Sequence, residues 1–396
     1  MLTLSSPSPA DLVIRNARVV LPDDVLSDAT VYIAGGLIQE ITRSNGRPPG
    51  GRAIDAGGQL LLPGFVDIHS DVIETAIQPR PGGRFPVEVA LHELDKQLVA
   101  CGVTTIFHCL CFLPGDENPP FRSAEMTDFL IGRLHELRPG FKAGTYIHAR
   151  YEITNHEAFD AVEDLVRKGL IHYFSIMDHT PGQGQFSELS HFREYYAKAR
   201  GLTEAHMDAM IERRLAASQH IDGARIARLT RLCREHRIQV ASHDDDSSAK
   251  VAWVRELGAG LSEFPVNLDA ARAARRHGMF ICLGAPNVLR GASLTANLSG
   301  RAALAAGLGD ILCSDYAPMS LLHAALAIER EKILPLPEAV NLISLNPARA
   351  AGLDQRTGSI EPGKAADLVL VDDRPKVAAI TRTIVNGRQV FSAGEI

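Results

Sequence analysis

Between residues 63 and 350 the chain alternates eight times between a short run of apolar, β-favouring residues and a stretch of helical character. This alternation limits the fold more than any other feature. The runs are GFVDIH (64–69), VTTIFHCLC (103–111), FKAGTYIHARYEI (141–153) and IHYFSIMDH (171–179), followed by IQVASHDD (238–245), LSEFPVN (261–267), MFICLGAP (279–286) and DILCSDYAP (310–318). Nearly continuous apolar runs mark strands covered on both faces, and strands that alternate with helices pair in parallel. Eight such units predict an α/β fold built on a (β/α)8 TIM barrel over residues 63–350.

The two ends read differently. Residues 11–62 hold the short β signals DLVIRNARVVL, ATVYIAGGLIQEI and AIDAGGQLLL, punctuated by Gly, Asp and Asn. The C-terminus answers with ADLVLVDDRP and AAITRTIVNGRQVF, in which Asn386-Gly387 is a strong two-residue turn signal. Neither end has a helical period. Residues 1–62 plus 351–396 are therefore expected to combine into one small β-sandwich domain beside the barrel at 63–350. The segment 180–220 is long for a loop after a barrel strand. On that face it is either a lid or an extra structural helix.

In such a barrel, functional side chains project from the C-terminal ends of the strands. The first run ends in His69 and Asp71, which share a face by alternation. The third carries His148, Arg150 and Glu152 on one face. The fourth ends in Asp178-His179, the fifth in His243 followed by Asp244, Asp245 and Asp246, and the eighth in Asp315. A lone histidine in a core is usually structural. Histidines ending the first, fourth and fifth strands, with an acid ending the eighth, suggest convergence on a divalent metal.

The expected ligands are His69, Asp71, Glu152, His179, His243 and Asp315. A set without Cys suits Zn²⁺, Mn²⁺ or Fe²⁺. This many ligands fits two ions, with Glu152 as the bridge and Asp315 also taking the proton of the attacking water. Asp245 and Asp246 precede a helical stretch and read as N-caps. Asp178 either orients a ligand histidine or faces the helix layer. Arg80, Arg84, Arg150 and Arg290 lie in or just after strand ends and are candidates for binding an anionic substrate, though Arg150 could instead pair with Glu152. His108, His172 and His323 are given no role.

The 396 residues are 45% hydrophobic and carry a formal net charge of -6. There is no basic bias that would suggest nucleic acid, while a local arginine cluster can still attract a polyanionic small molecule. None of the six cysteines forms a C-x-x-C pair, and no run approaches the length of a membrane span. A cytoplasmic protein that acts on a small molecule is expected, with no nucleic-acid or membrane partner and with room for a homo-oligomer.

PGFVDIHSD, the barrel pattern and the closing GSIEPGKAADLVLVD together resemble the amidohydrolase superfamily, which implies metal-dependent hydrolysis on a distorted barrel carrying a β-sandwich from both termini. The strings QPRP, ARYEI, SIMDHTPGQGQF, FREYY, ASHDD, EFP, HGMFICLGAPNVLRG and LCSDYAP are similar to the PhnM family of ribose 1-methylphosphonate 5-triphosphate diphosphatases. That resemblance implies that the small molecule is phosphorylated, with attack of a metal-activated water on the α-phosphorus of a ribose 5-triphosphate in methylphosphonate catabolism and pyrophosphate leaving. It places metal ligands at the same six residues. The chain departs from the family pattern at Val72 and in RGASLTAN, where Ala292, Leu294 and Ala296 replace Gly, His and Gly. The alternative is an amidohydrolase acting on a C–N bond, as a deaminase or cyclic amidase, with the same metal site.

Overall fold

The computed structural model describes residues 11–43, 51–114, 122–186, 188–200, 203–293, 297–374 and 376–394. Leu294 and Ala296 lie outside the described residues. Five strands come first: β1 (Leu12–Val20), β2 (Val25–Ala34), β3 (Leu37–Thr42), β4 (Arg52–Asp55) and β5 (Leu60–Pro63). The barrel strands are β6 (Phe65–Ser70), β7 (Val103–Phe112), β8 (Gly144–Glu152), β9 (Tyr173–Met177), β10 (Gln239–His243), β11 (Leu261–Glu263), β12 (Phe280–Gly284) and β13 (Ile311–Cys313). The chain ends with β14 (Leu368–Asp372), β15 (Ala379–Val385) and β16 (Arg388–Ser392).

β6 to β13 pair in sequence order, every pair parallel. A parallel bridge between Ser70 and Asp315 closes the ring, helped by a 2.8 Å hydrogen bond between the Ser70 and Ser314 hydroxyls. β6 and β7 are buried along their whole length because helices cover one face and the barrel interior the other. The observed strands stop short of several apolar runs in the sequence. β11 ends at Glu263 and β13 at Cys313, because the next residues turn over the barrel mouth.

The barrel interior holds Val66, Ile68, Phe107, Tyr173, Ala241, Leu261, Cys282, Ile311 and Cys313. β6 carries one extra residue against β7: Asp67 pairs with Ile106, but Ser70 pairs with His108. This bulge brings Ile68 and its neighbour His69 both to the inside, so strict alternation along this strand does not hold. Bulges of this kind re-aim side chains beside active sites.

The terminal strands form one continuous eight-stranded sheet, β16-β15-β14-β5-β1-β2-β3, with β4 beside β1. β5 from the N-terminal part pairs antiparallel with β14 from the C-terminal part. Alternate residues on these two strands serve two cores. Leu61, Leu368 and Leu370 pack within the sheet's own core, while Leu60, Leu62, Val369 and Val371 join the core of the barrel's outer layer. Asn386 and Gly387 both have positive φ at the β15–β16 turn, as a tight hairpin requires.

Between β9 and β10 the long segment folds into a short 3-10 turn (Gly184–Phe186) and two helices, Leu189–Arg200 and Glu204–Ser218. Phe186, Phe192, Tyr196, Met207, Met210 and Ile211 give this hairpin a small core of its own. Among the described residues no helix is long and apolar enough to cross a membrane.

Candidate metal centre and substrate cavity

Three of the strands turn at the barrel mouth through the left-handed region: Asp244 (φ 52°), Phe264 (φ 53°) and Asp315 (φ 57°). Such backbone costs about 1–3 kcal/mol for each non-glycine residue and survives only where neighbours enforce it. Here a neighbouring strand carbonyl accepts from each amide. Asp244 N–H donates to Glu263 O (2.9 Å), Phe264 N–H to Cys282 O (2.9 Å) and Asp315 N–H to His69 O (3.1 Å). The last of these bonds belongs to the barrel closure, which thereby places the acid of the last strand beside His69 and Asp71 of the first.

Glu263, completely buried at the end of β11, organises the inner layer. Its Oε2 lies 3.3 Å from His243 Nδ1 and accepts from the Ser175 hydroxyl at 2.8 Å. Its Oε1 is 3.1 Å from His69 Nδ1, within ion-pair range but not aligned for a hydrogen bond. Burial alone would raise the Glu263 pKa, but the surrounding imidazoles outweigh it and hold the carboxyl well below its usual range. The rings of His69 and His243 stack at 5.3 Å. His148 is fully engaged deeper in the barrel, donating from Nδ1 to Ile68 O (2.8 Å) with Nε2 2.5 Å from Ser175 Oγ, and burial pushes its pKa down to about 3.

The outer layer falls into two groups whose ligand atoms lie within 4.8 Å of one another: His69, Asp71 and Asp315, and His179, His243 and Asp244. Glu152, expected as a bridging ligand, grips His179 instead. Its Oε2 accepts from His179 Nδ1 at 2.7 Å and its Oε1 from the His179 amide at 3.0 Å. That leaves the other ring nitrogen of His179 3.7 Å from Asp244 Oδ2, which is also 3.6 Å from His243 Nε2. Burial and the adjacent charge of Asp71 raise the Asp315 pKa to about 6.

These residues fit a divalent cation. Asp244 Oδ2 is buried without a hydrogen-bond partner among the described residues, 3.6 Å from His243 Nε2 and 3.7 Å from His179 Nε2. Each orphaned polar atom costs about 1–3 kcal/mol unless something satisfies it. A set of imidazoles and carboxylates is the chemistry that zinc, manganese and iron take up.

Arg150 pairs with neither Glu152 nor a residue at the rim. Its guanidinium lies at the cavity floor, with Nη1 3.0 and 3.1 Å from the two Asp71 oxygens and Nη2 2.9 Å from His243 Nε2. Burial would raise the Asp71 pKa, but Arg150 outweighs it and holds the group at about 2. Burial, with Arg150 adding to it, lowers the His243 pKa to about 4, so the ring is neutral and offers Arg150 a lone pair. An ion on His243 Nε2 requires Arg150 to let go of that atom.

Above the floor opens a cavity of about 660 Å³, lined among others by Arg122, Arg150, Arg214, Arg290, Gln185, Asn287 and Tyr316. Arg290 follows β12 and reaches the Tyr316 hydroxyl. The structure does not bring Arg80 and Arg84 to this cavity. Both are exposed, Arg84 lying against Met126 Sδ and Arg80 in a tight bridge with Gly83. The helix Val72–Ile77 fills the space directly after β6, and the loop beyond it folds back, with Phe85 N–H on Ile77 O, away from the mouth.

The N-cap assignments also change. Ser247, not Asp245 or Asp246, caps the helix Ser248–Glu256. Buried Asp245 accepts from the hydroxyls of Ser242 and Ser262, and Asp246 accepts from Gly184 N–H at 2.8 Å, tying the inserted hairpin to the barrel. Asp178 accepts from Thr180 N–H in its own turn rather than orienting a histidine. Glu263 was readable in the sequence as an acid ending the sixth strand, and Asp244 as the residue after His243. Arg122 and Arg214 carry no sequence signal, since tertiary packing alone brings them to the cavity.

The Amidohydrolase family profile matches residues 137–390. The chain is 35% identical over 384 residues to the α-D-ribose 1-methylphosphonate 5-triphosphate diphosphatase of Escherichia coli (strain K12), covering 96% of this chain and 100% of that one. It is 25% identical over 401 residues to an adenine deaminase of Methylobacterium sp. (strain 4-46), covering 98% of this chain and 59% of the relative. Among solved structures it is similar to a prolidase complexed with N-methylphosphonate-L-proline (TM-score 0.63, 17% identity, 96% of this chain and 99% of that one). It is equally similar to N-acetylglucosamine-6-phosphate deacetylase from Pasteurella multocida (TM-score 0.63, 14% identity, 96% and 99%). The chain belongs to the amidohydrolase family, and it is a hydrolase of a superfamily whose members work with divalent metals.

Proposed function

We propose that this hydrolase cleaves the α–β phosphoanhydride of a ribose 5-triphosphate bearing a 1-methylphosphonate, releasing pyrophosphate. The observation that carries this reading is a carboxylate–imidazole floor beneath four cavity arginines, of which Arg122 and Arg150 are matched by Glu74 and Asp71 while Arg214 and Arg290 have no ion pair among the described residues. A neutral amide or an aminopurine needs no such charge, whereas a triphosphate does. The 35% identity to the E. coli diphosphatase over its full length supports the same reading.

His69, Asp71 and Asp315 would hold one divalent ion, and His179, His243 and Asp244 a second. Zinc, manganese or iron bound there would polarise a phosphoryl oxygen and lower the pKa of water. The chain's own groups do the rest. Glu263 and Glu152 fix the histidine rings. Asp315 stands beside His69 and Asp71 at the closure of the barrel, and its carboxylate would take the proton of the attacking water. The water oxygen bonds to the α-phosphorus, the bond from that phosphorus to the α–β bridging oxygen breaks, and the electron pair leaves with pyrophosphate. The arginines stabilise the charge that gathers on the departing group. All six cysteines are free thiols, which supports a cytoplasmic setting.

The test is phosphorus NMR of the Mn²⁺- or Zn²⁺-loaded protein with ribose 1-methylphosphonate 5-triphosphate, with ATP alongside. Prompt appearance of pyrophosphate from the first substrate is expected. No release from metal-replete protein, with ammonia released from an aminopurine, would overturn the reading in favour of C–N hydrolysis.

A further inference from the structure

We propose that Arg214, carried by the inserted hairpin, binds the β- and γ-phosphates of the substrate, the part that leaves as pyrophosphate. The inference rests on the phosphoanhydride reading above. It makes the hairpin the element that selects a polyphosphate, rather than a passive extra helix pair.

Two of the four cavity arginines are already neutralised. Arg122 makes a bidentate pair with Glu74, both bonds at 2.7 Å, and Arg150 is held by Asp71. Arg214 forms no ion pair among the described residues. Glu152 lies near enough to feel its charge but is engaged with His179. A half-buried guanidinium without a counter-charge is costly, and an anion in the cavity relieves that cost.

The second observation is the mount. The Arg214 guanidinium packs against the rings of Phe192 and Tyr196, 5.5 and 5.1 Å from their centroids. Nη1 donates to the Tyr196 hydroxyl at 3.2 Å and lies 3.5 Å from the carbonyl of His179. Among the described residues Nε and Nη2 have no protein partner. Contact with two aromatic rings restricts the plane of the guanidinium, which cuts the entropy lost when it binds an anion. Both rings belong to the hairpin's own core, so the cation is fixed to that element. The link to the His179 carbonyl places it next to the candidate metal centre.

The test compares Arg214→Met and Arg214→Lys with the wild type, all metal-loaded. The readouts are the KM and kcat for the ribose triphosphate and calorimetric binding of inorganic pyrophosphate. Met keeps the stem that lies on the rings and removes the charge. The expected result for Arg214→Met is a rise of about 10- to 100-fold in both KM and the pyrophosphate Kd, the range of a charge-assisted hydrogen bond, with kcat falling less. Arg214→Lys should recover part of the pyrophosphate affinity, which a merely structural role would not produce. Wild-type turnover and pyrophosphate binding with no change in Arg214→Met would overturn this proposal alone. A wild type that neither cleaves the triphosphate nor binds pyrophosphate would overturn it together with the reading beneath it.

Discussion

The ends of the barrel strands and the inserted hairpin face the same cavity but are built on opposite terms. At the strand ends charge is matched and locked: Arg150 with Asp71, Glu152 with His179, Glu263 against His69 and His243. Strained backbone at Asp244 and Asp315 is held by bonds to neighbouring strands. The hairpin rests on six apolar side chains and the tie from Gly184 to Asp246, and it presents an arginine without a carboxylate partner among the described residues. Reaction chemistry needs atoms fixed by many constraints at once, which a barrel mouth supplies. Recognition of a leaving group needs one well-aimed charge, which a small appendage can carry.

The largest effects are expected at the barrel mouth. His243→Ala or His179→Ala should take turnover below detection while the thermal transition stays close to that of the wild type, read by pyrophosphate release and calorimetry. An unchanged rate would remove that histidine from the chemistry. Next comes Glu263→Gln, which keeps shape and loses the charge behind His69 and His243, the two histidines proposed as ligands. Metal retained after dialysis should fall, with affinity weaker by about 10- to 100-fold, as for other residues that orient metal ligands. Unaltered metal content would make Glu263 a structural acid only.

On the hairpin side, Phe192→Ala removes a fully buried ring from a six-residue core. Such a loss costs about 3–5 kcal/mol, more than this small unit can absorb. Hydrogen exchange across 186–218 should quicken while β6–β13 keep their protection, and KM should rise. Equal loosening of barrel and hairpin would mean the two are not separate units.

The smallest effect concerns the barrel alone. His108 on β7 is buried without a partner at Nδ1 among the described residues, and burial lowers its pKa to about 4. The unfolded chain takes up a proton near pH 6.5 that the folded protein refuses until about pH 4. Stability is therefore lost as pH falls through that window, by about 2 kcal/mol at pH 5. His108→Leu should flatten the slope of urea-unfolding stability between pH 7 and 5 by that amount, and an unaltered slope would contradict it.

Much of this was legible in the sequence. Eight apolar runs match eight strands because a strand covered on both faces cannot hide its composition. The polar residues that end those runs stand at the cavity because parallel strands in a barrel all finish on one side. What was not legible depends on tertiary closure. The bulge in β6 leaves no mark in composition, so the facing of His69 alongside Ile68 could not be read. Arg80 and Arg84 follow the first strand closely, yet nothing in the sequence says which way their loop folds. Arg214 lies about 35 residues past its strand and is returned to the cavity only by the packing of Phe192 and Tyr196. The partner of Arg150 could not be foreseen either, because Asp71 reaches it only when the first and third strands share one interior.

In the proposed reaction water attacks the α-phosphorus while the terminal phosphates leave together toward the arginines. Turnover in ¹⁸O-labelled water tests it most directly, with the label located by its isotope shift in phosphorus NMR. Attack at the α-phosphorus leaves the label in the sugar 5-phosphate and the pyrophosphate unlabelled. Label in the pyrophosphate, or release of single phosphates, would contradict it.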